Sequence, residues 1–242
     1  MTVLVVGASG ATGRLLVSQL LRRGLQVRAV VRSLDRLPAE LNAHPALSLV
    51  QATLLDLDDA ALKRLTEGCS AIASCLGHNL SFKGIYGAPR ALVTEATRRL
   101  CAAARNCSPT APVKYVLMNS AGISNRDLDE PLPAGHRFAI GAMRLLLPPH
   151  ADNENAADYL RSTIGQNDAV IEWAAVRPDT LIDEAEVSAY ELFPSPTRSA
   201  LFDPGKTSRI NVAHFMAELI VDQALWNAWK GRMPAIYNTG FS

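Results

Sequence analysis

Gly7, Gly10 and Gly13 follow directly on the apolar run Thr2–Val6, at the spacing of a phosphate-binding turn. Gly7 would make a tight strand-to-helix turn, Gly10 would let the backbone approach a pyrophosphate, and Gly13 would let the helix pack closely on the sheet. The unpaired N–H groups at the positive end of that helix, those of Ala11 and Thr12 included, then face the phosphates, and the hydroxyls of Ser9 and Thr12 add donors. The ligand implied is a dinucleotide. The end of the next apolar run, Val27–Val31, selects between the two common ones. An acidic residue about 20 positions past the last glycine would hold the ribose 2′-OH of NAD. Arg32 and Ser33 stand there instead, with Arg36 one turn on. They suit a 2′-phosphate that a carboxylate would repel, so the reading is NADP in preference to NAD. Arg14 is a second candidate near the adenosine.

Acid–base chemistry is less sharply marked. Ser120 ends a predicted strand where hydride would be transferred, and could hydrogen-bond a substrate carbonyl or simply steady its turn. Asn119 is an alternative donor. His150 stands near the expected active-site helix and titrates near neutrality, so it could supply a proton; a helix-start residue after Pro148-Pro149 is the plainer alternative. Glu154, four residues on, could share its helix face. His78, after Gly77, could also reach the reacting end of the cofactor, while His136 has no assignment. No His/Asp/Glu cluster has metal-ligand spacing, so no catalytic metal is expected.

These residues need a scaffold that alternates strands and helices. Predicted strands are Thr2–Val6, Val27–Val31, Leu47–Val50, Ala71–Cys75, Val113–Met118, Ala169–Val176 and Ala235–Asn238. Predicted helices cover Leu15–Leu21 (ended by Gly24), Asp58–Leu65 with Asp56 as candidate cap, Ala88–Ala104, and Asn211–Trp226. The strands are continuous apolar runs, as burial on both faces requires. The fold class is α/β: a Rossmann-type doubly wound parallel sheet with helices on both faces and a small C-terminal substrate lobe. Residues 1–242 form one dinucleotide-binding domain, and 178–210, with Tyr190, Leu192, Phe193 and Phe202, read as a pocket wall, lid or local core.

Composition narrows the class. The 242 residues are 48% apolar and 19% charged, with a net charge of +1, so neither nucleic acid nor an anionic membrane is an expected partner. No eighteen-residue apolar stretch or basic-then-apolar leader is present, which makes the cytoplasm the expected location. Cys69, Cys75, Cys101 and Cys107 form no CxxC pair and read as buried thiols, with a Cys101–Cys107 redox pair as the weaker reading. Trp226 and Trp229 suit a core or a homodimer contact.

The run Val6-Gly7-Ala8-Ser9-Gly10-Ala11-Thr12-Gly13-Arg14 resembles the atypical short-chain dehydrogenase/reductases, the group of the NmrA-like proteins and flavin/biliverdin reductase B. Further segments keep that family's order: Val27–Arg32, Leu55-Asp56-Leu57, Ser74-Cys75-Leu76-Gly77, Val116–Gly122, Ala175–Pro178 and Arg209–Ala213. The resemblance implies that Asp56 and Leu57 pack against adenine, that Cys75, Leu76 and Gly77 line the cofactor, and that Asn119 and Ser120 lie beside the nicotinamide. It also places Pro178 at the cofactor site. The departures are informative. None of Tyr86, Tyr115, Tyr159, Tyr190 and Tyr237 has a lysine four residues on, so the Tyr-x-x-x-Lys relay of the wider superfamily is absent as a motif. Asp179 follows the Arg-Pro pair where a small residue is expected. Three functions remain open: an NADP(H)-dependent oxidoreductase for a small carbonyl, quinone, flavin or other conjugated acceptor; an NmrA-like redox sensor that binds without turnover; and an isomerase or epimerase with tightly bound nucleotide.

Overall fold

A computed structural model describes residues 1–78, 87–128, 130, 147–200 and 202–240. The elements run β1 (Thr2–Val6), α1 (Ala11–Arg22), β2 (Gln26–Val31), α2 (Ala39–Asn42), β3 (Leu47–Gln51), α3 (Asp59–Thr66), β4 (Cys69–Ser74), α4 (Leu92–Asn106) and β5 (Val113–Met118). They continue with α5 (Pro148–Asp158), β6 (Ile171–Pro178), β7 (Thr180–Ile182), β8 (Tyr190–Phe193), β9 (Lys206–Ser208), α6 (Arg209–Val221), α7 (Gln223–Trp229) and β10 (Ala235–Asn238). The sheet order is β3-β2-β1-β4-β5-β6-β10-β8. Neighbours are parallel except at β8, which runs antiparallel to β10. The protein is thus an α/β Rossmann-type fold, with the order reversing between β1 and β4.

Each central strand splits its side chains between two cores, which explains the unbroken apolar runs. Val3, Val5, Ala29 and Ala73 join α1, α6 and α7 on one face. Leu4, Val6, Val30 and Ile72 join α3, α4 and α5 on the other. Trp226 is fully buried and donates to Glu172 at 2.5 Å, so it belongs to the core, and Trp229 stacks edge-on against Phe215.

Three details differ from the sequence reading, and one of its open alternatives is decided. Asp58, not Asp56, caps α3, its carboxylate accepting from Ala61 N at 2.7 Å; a short 3-10 turn, Leu54–Asp56, precedes it. The predicted Asn211–Trp226 helix is two helices, because the Asp222 carboxylate caps α7 by accepting from Ala224 N and Leu225 N. Helix α4 starts at Leu92 rather than Ala88. Within 178–210, Tyr190 and Leu192 take the local-core alternative: β8 extends the main sheet and both pack on the α1/α6 face, Tyr190 bonding His214 at 2.9 Å. Phe193 lies on the opposite face beside Tyr237, and Phe202 is 71% exposed.

Cys101 is sealed in the core, while Cys107 sits at the end of α4 against Thr66 Oγ1 and the Lys63 carbonyl. Among the described residues no helix is long and apolar enough to cross a membrane, and no group of three His, Cys, Asp or Glu could hold a metal.

Candidate functional site

The site begins where β1 meets α1. Gly7 has φ +75°, and a Cβ there would stand 2.5 Å from the carbonyl carbon and oxygen of Cys75. The turn closes through Gly10 N to Gly7 O at 3.0 Å. A Cβ on Gly13 would run into the Gly7 carbonyl, so α1 can rest on the turn only without one. Where α3, α6 and α7 are capped by Asp58, Ser208 and Asp222, α1 starts at Gly10 with no side-chain cap and no acid in its first turn. Its first helical bond is Arg14 N to Gly10 O, which leaves the N–H groups of Ala11, Thr12 and Gly13 without intrahelical partners. That is an anion cradle.

A cleft of about 410 Å³ opens over this turn. Gly7, Ser9 and Gly10 form its floor, and Arg32 and Arg36 stand at its β2 end. Ser33, half-exposed, sits between the two arginines at the start of the 3-10 turn Leu34–Arg36. Cys75, Leu76, Gly77 and His78 form the β4 side. No Asp or Glu is among the described residues that line it. Burial pushes the Cys75 thiol up to about 12, so it serves as a neutral wall and not as a nucleophile.

Four sequence-derived residues fall elsewhere. Asp56 is exposed and Leu57 packs into the α3/α4 core; the adenine-side wall is made slightly earlier, by Thr53, Leu54 and Leu55. The 3-10 turn displaces the motif by about two residues. Thr12 is buried beneath the turn, and its side chain packs inside instead of lining the cleft. Arg14 is exposed and lies outside the lining.

Farther along the sheet edge, β5 delivers Asn119 and Ser120. The Asn119 amide donates to the Asn153 carbonyl at 3.0 Å and accepts from Ser120 N at 2.9 Å, which gives it a positioning role between β5 and α5. Ser120 Oγ accepts from Gly122 N at 3.2 Å and so keeps its proton to donate. An ideal Cβ on Gly122 would lie 3.6 Å from Ser120 Oγ and 3.9 Å from His150 Cε1. The two side chains therefore converge over Gly122. Glu154 is buried and turned to Arg126 at 2.9 Å. Pro178 is buried at the end of β6, where its carbonyl accepts from Ala121 N and steadies the same turn. The Asp179 carboxylate accepts from Gly205 N at 3.0 Å, and burial raises its pKa.

The four described tyrosines do not replace a relay. Burial pushes Tyr115, Tyr159, Tyr190 and Tyr237 all upward, the reverse of what proton transfer at neutral pH needs. Tyr86 and His136 lie outside the described residues.

Two site residues carried no sequence signal. Arg99 on α4 donates to the carbonyls of Leu55, at 2.8 Å, and Leu57, holding the adenine-side wall in place. Asp152 on α5 bonds His78 at 2.7 Å. Each acts on partners more than forty residues away, which no local pattern announces.

The NAD(P)H-binding family model matches residues 7–223. A 143-residue stretch is 32% identical to a 3-beta-hydroxysteroid dehydrogenase of Mycolicibacterium neoaurum, covering 56% of this chain and 38% of that protein. The chain spans well under half the length of the curated relatives it matches. A short-chain dehydrogenase/reductase from Veillonella parvula, solved in complex with NADP, aligns with a TM-score of 0.70 at 14% identity, over 99% of this chain and 95% of that one. ChuY, an anaerobillin reductase from Escherichia coli, aligns with a TM-score of 0.69 at 19% identity, over 100% and 99%. At these identities the structural likeness speaks for the fold.

Proposed function

Because the chain belongs to the NAD(P)H-binding family, we propose that it is an NADP(H)-dependent oxidoreductase that reduces a small carbonyl, quinone, flavin or other conjugated acceptor. The carrying observation is one cleft that joins the uncapped start of α1 to Arg32 and Arg36, with no carboxylate among its described lining residues. A ribose 2′-OH has no acid to bind there, whereas a 2′-phosphate has two guanidinium groups. The glycine turn, which a Cβ at Gly7 or Gly13 would fill, fits the pyrophosphate.

The cofactor, when bound, supplies a hydride. The N–H groups of Ala11, Thr12 and Gly13 would hold the pyrophosphate, and Leu54 and Leu55 would flank the adenine. Ser120 would orient the acceptor oxygen by donating a hydrogen bond to it, and the His150 imidazole converges on the same place. For a conjugated ring acceptor, water can deliver the proton, so a tyrosine relay is not required.

Two outcomes test this reading. Arg32→Glu is expected to weaken NADPH binding roughly 10- to 100-fold, the size of a lost charge-assisted hydrogen bond, and to leave NADH nearly unchanged. Equal loss of both in a fluorescence titration removes Arg32 from the 2′-phosphate. Ser120→Ala is expected to lower kcat on the order of 100-fold with NADPH affinity retained; unchanged turnover makes Ser120 a turn residue.

The absence of a Tyr-x-x-x-Lys motif favours a second reading, a redox sensor of NADP(H) occupancy. Purified protein mixed with NADPH and a panel of quinones, flavins and aldehydes separates the two. Loss of absorbance at the nicotinamide band supports the enzyme. Tight binding without turnover supports the sensor.

A further inference from the structure

Asp152 is only 2% exposed, yet three elements meet at its side chain. Its Oδ2 accepts from His78 Nε2 at 2.7 Å and from Val93 N at 2.8 Å, and its Oδ1 accepts from Thr94 N at 2.9 Å. Thr94 Oγ1 returns a bond to the Asp152 carbonyl at 2.8 Å. Val93 and Thr94 open the first turn of α4, where N–H groups have no intrahelical acceptor, and the N-cap residue Ala91 offers no side-chain cap. Asp152 thus caps α4 from another helix. A carboxylate only accepts, so the His78 nitrogen facing it carries a proton. The imidazole is fixed in plane and in protonation site, as carboxylate-held histidines are in metal and acid–base sites.

The main chain of His78 lines the cleft, while its ring, only 4% exposed, is turned inward to Asp152. Along the C-terminal edge of the sheet the strand order β2-β1-β4-β5 places Arg32, Gly7–Gly10, His78 and Ser120 in succession. A dinucleotide laid from Arg32 across the glycine turn reaches His78 before it reaches Ser120 and His150.

We propose that His78 and Asp152 form a positioning dyad for the nicotinamide half of the cofactor: the main chain of His78 contacts that half, and Asp152 acts through His78 by anchoring its ring beneath the cleft wall. The proposal rests on the NADP(H) reading of the cleft. Its consequence is that α5, which carries His150, also anchors the β4 side of the cleft.

The test uses the full-length protein with two probes, NADPH and 2′,5′-ADP, which is the adenosine half alone. His78→Ala and Asp152→Asn are expected to weaken NADPH roughly tenfold, the size of one hydrogen bond, while 2′,5′-ADP stays within about twofold. Imidazole ¹⁵N NMR is expected to show His78 protonated at Nε2 in the wild type, with that preference lost in Asp152→Asn. His78→Gln, which can still donate to Asp152, separates packing from contact and decides the matter if Asp152→Asn fails to fold. Parallel loss of both probes, or loss of neither in folded His78→Ala and His78→Gln, overturns the dyad. Wild-type protein that binds neither probe overturns the NADP(H) reading itself, a different result.

Discussion

Gly7→Ala is expected to lower dinucleotide affinity on the order of 100-fold, the cost of shifting a binding geometry by about 1 Å. Two effects act at this position. The left-handed φ of +75° costs a residue with a Cβ about 1–2 kcal/mol wherever it occurs. The second effect is local: the new Cβ would stand 2.5 Å from the Cys75 carbonyl, backbone that cannot rotate away. Cys75 N bonds Val6 O at 2.9 Å beside that contact, so β1 and β4 must separate just where both line the cleft. Gly24→Ala isolates the first effect, since Gly24 has φ +74° and no atom within 4 Å of its would-be Cβ. Both variants should lose similar stability from strain, with further loss and the binding defect confined to Gly7→Ala. NADPH titration with thermal unfolding of the pair measures this. Wild-type affinity in Gly7→Ala would mean that the turn is not the cradle.

Elements that answer to local physics were legible in the sequence. Val113–Met118 and Ala235–Asn238 fall where their apolar runs place them, because strands buried on both faces leave no other pattern. Elements that answer to distant partners were not. The start of α4 is set by Asp152, some sixty residues away, so nothing near Ala88 could mark it. The break between α6 and α7 depends on Asp222, an acid that reads equally well as a solvated helix residue until its backbone turns out of the helix. Strand β8 is four residues long and gains its place by pairing with β10, a contact no local pattern announces.

The site divides in the same way. Gly7, Gly10, Arg32 and Cys75–Gly77 could be placed on the cleft because backbone conformation and charge at strand ends are short-range properties. Asp56 and Leu57 missed it because a single 3-10 turn rotates the following residues away. Asn119 was read as a donor to ligand, but its two bonds go to Asn153 and Ser120; an amide at a strand end can serve ligand or protein, and only the neighbouring helix decides.

Arg177→Met is expected to destabilise the protein by about 3–5 kcal/mol, the cost of removing one partner of a buried ion pair. In a domain of this size that is a fall in Tm of roughly 10 °C. Arg177 is fully buried at the end of β6, and burial pulls its pKa down while Glu130 opposes the shift. Its guanidinium donates to the Met233 carbonyl at 2.6 Å, to the Ile123 carbonyl and Glu130 Oε1 at 2.9 Å each, and to the Pro194 carbonyl at 3.0 Å. Methionine fills similar space but strands three carbonyls and a carboxylate that is only 8% exposed and keeps the bond from Asn125 N to its Oε2. Adding Glu130→Gln should recover part of the loss, because the stranded group is then neutral. Calorimetry of the single and double variants reads both. A loss below about 1 kcal/mol would mean that water replaces the guanidinium. The segments that Arg177 ties together flank Ser120 on the side away from Arg32. Below the melting range the variant should therefore keep its NADPH affinity and raise KM for the acceptor. Equal losses on both sides would show that the two halves of the cleft share one cooperative support.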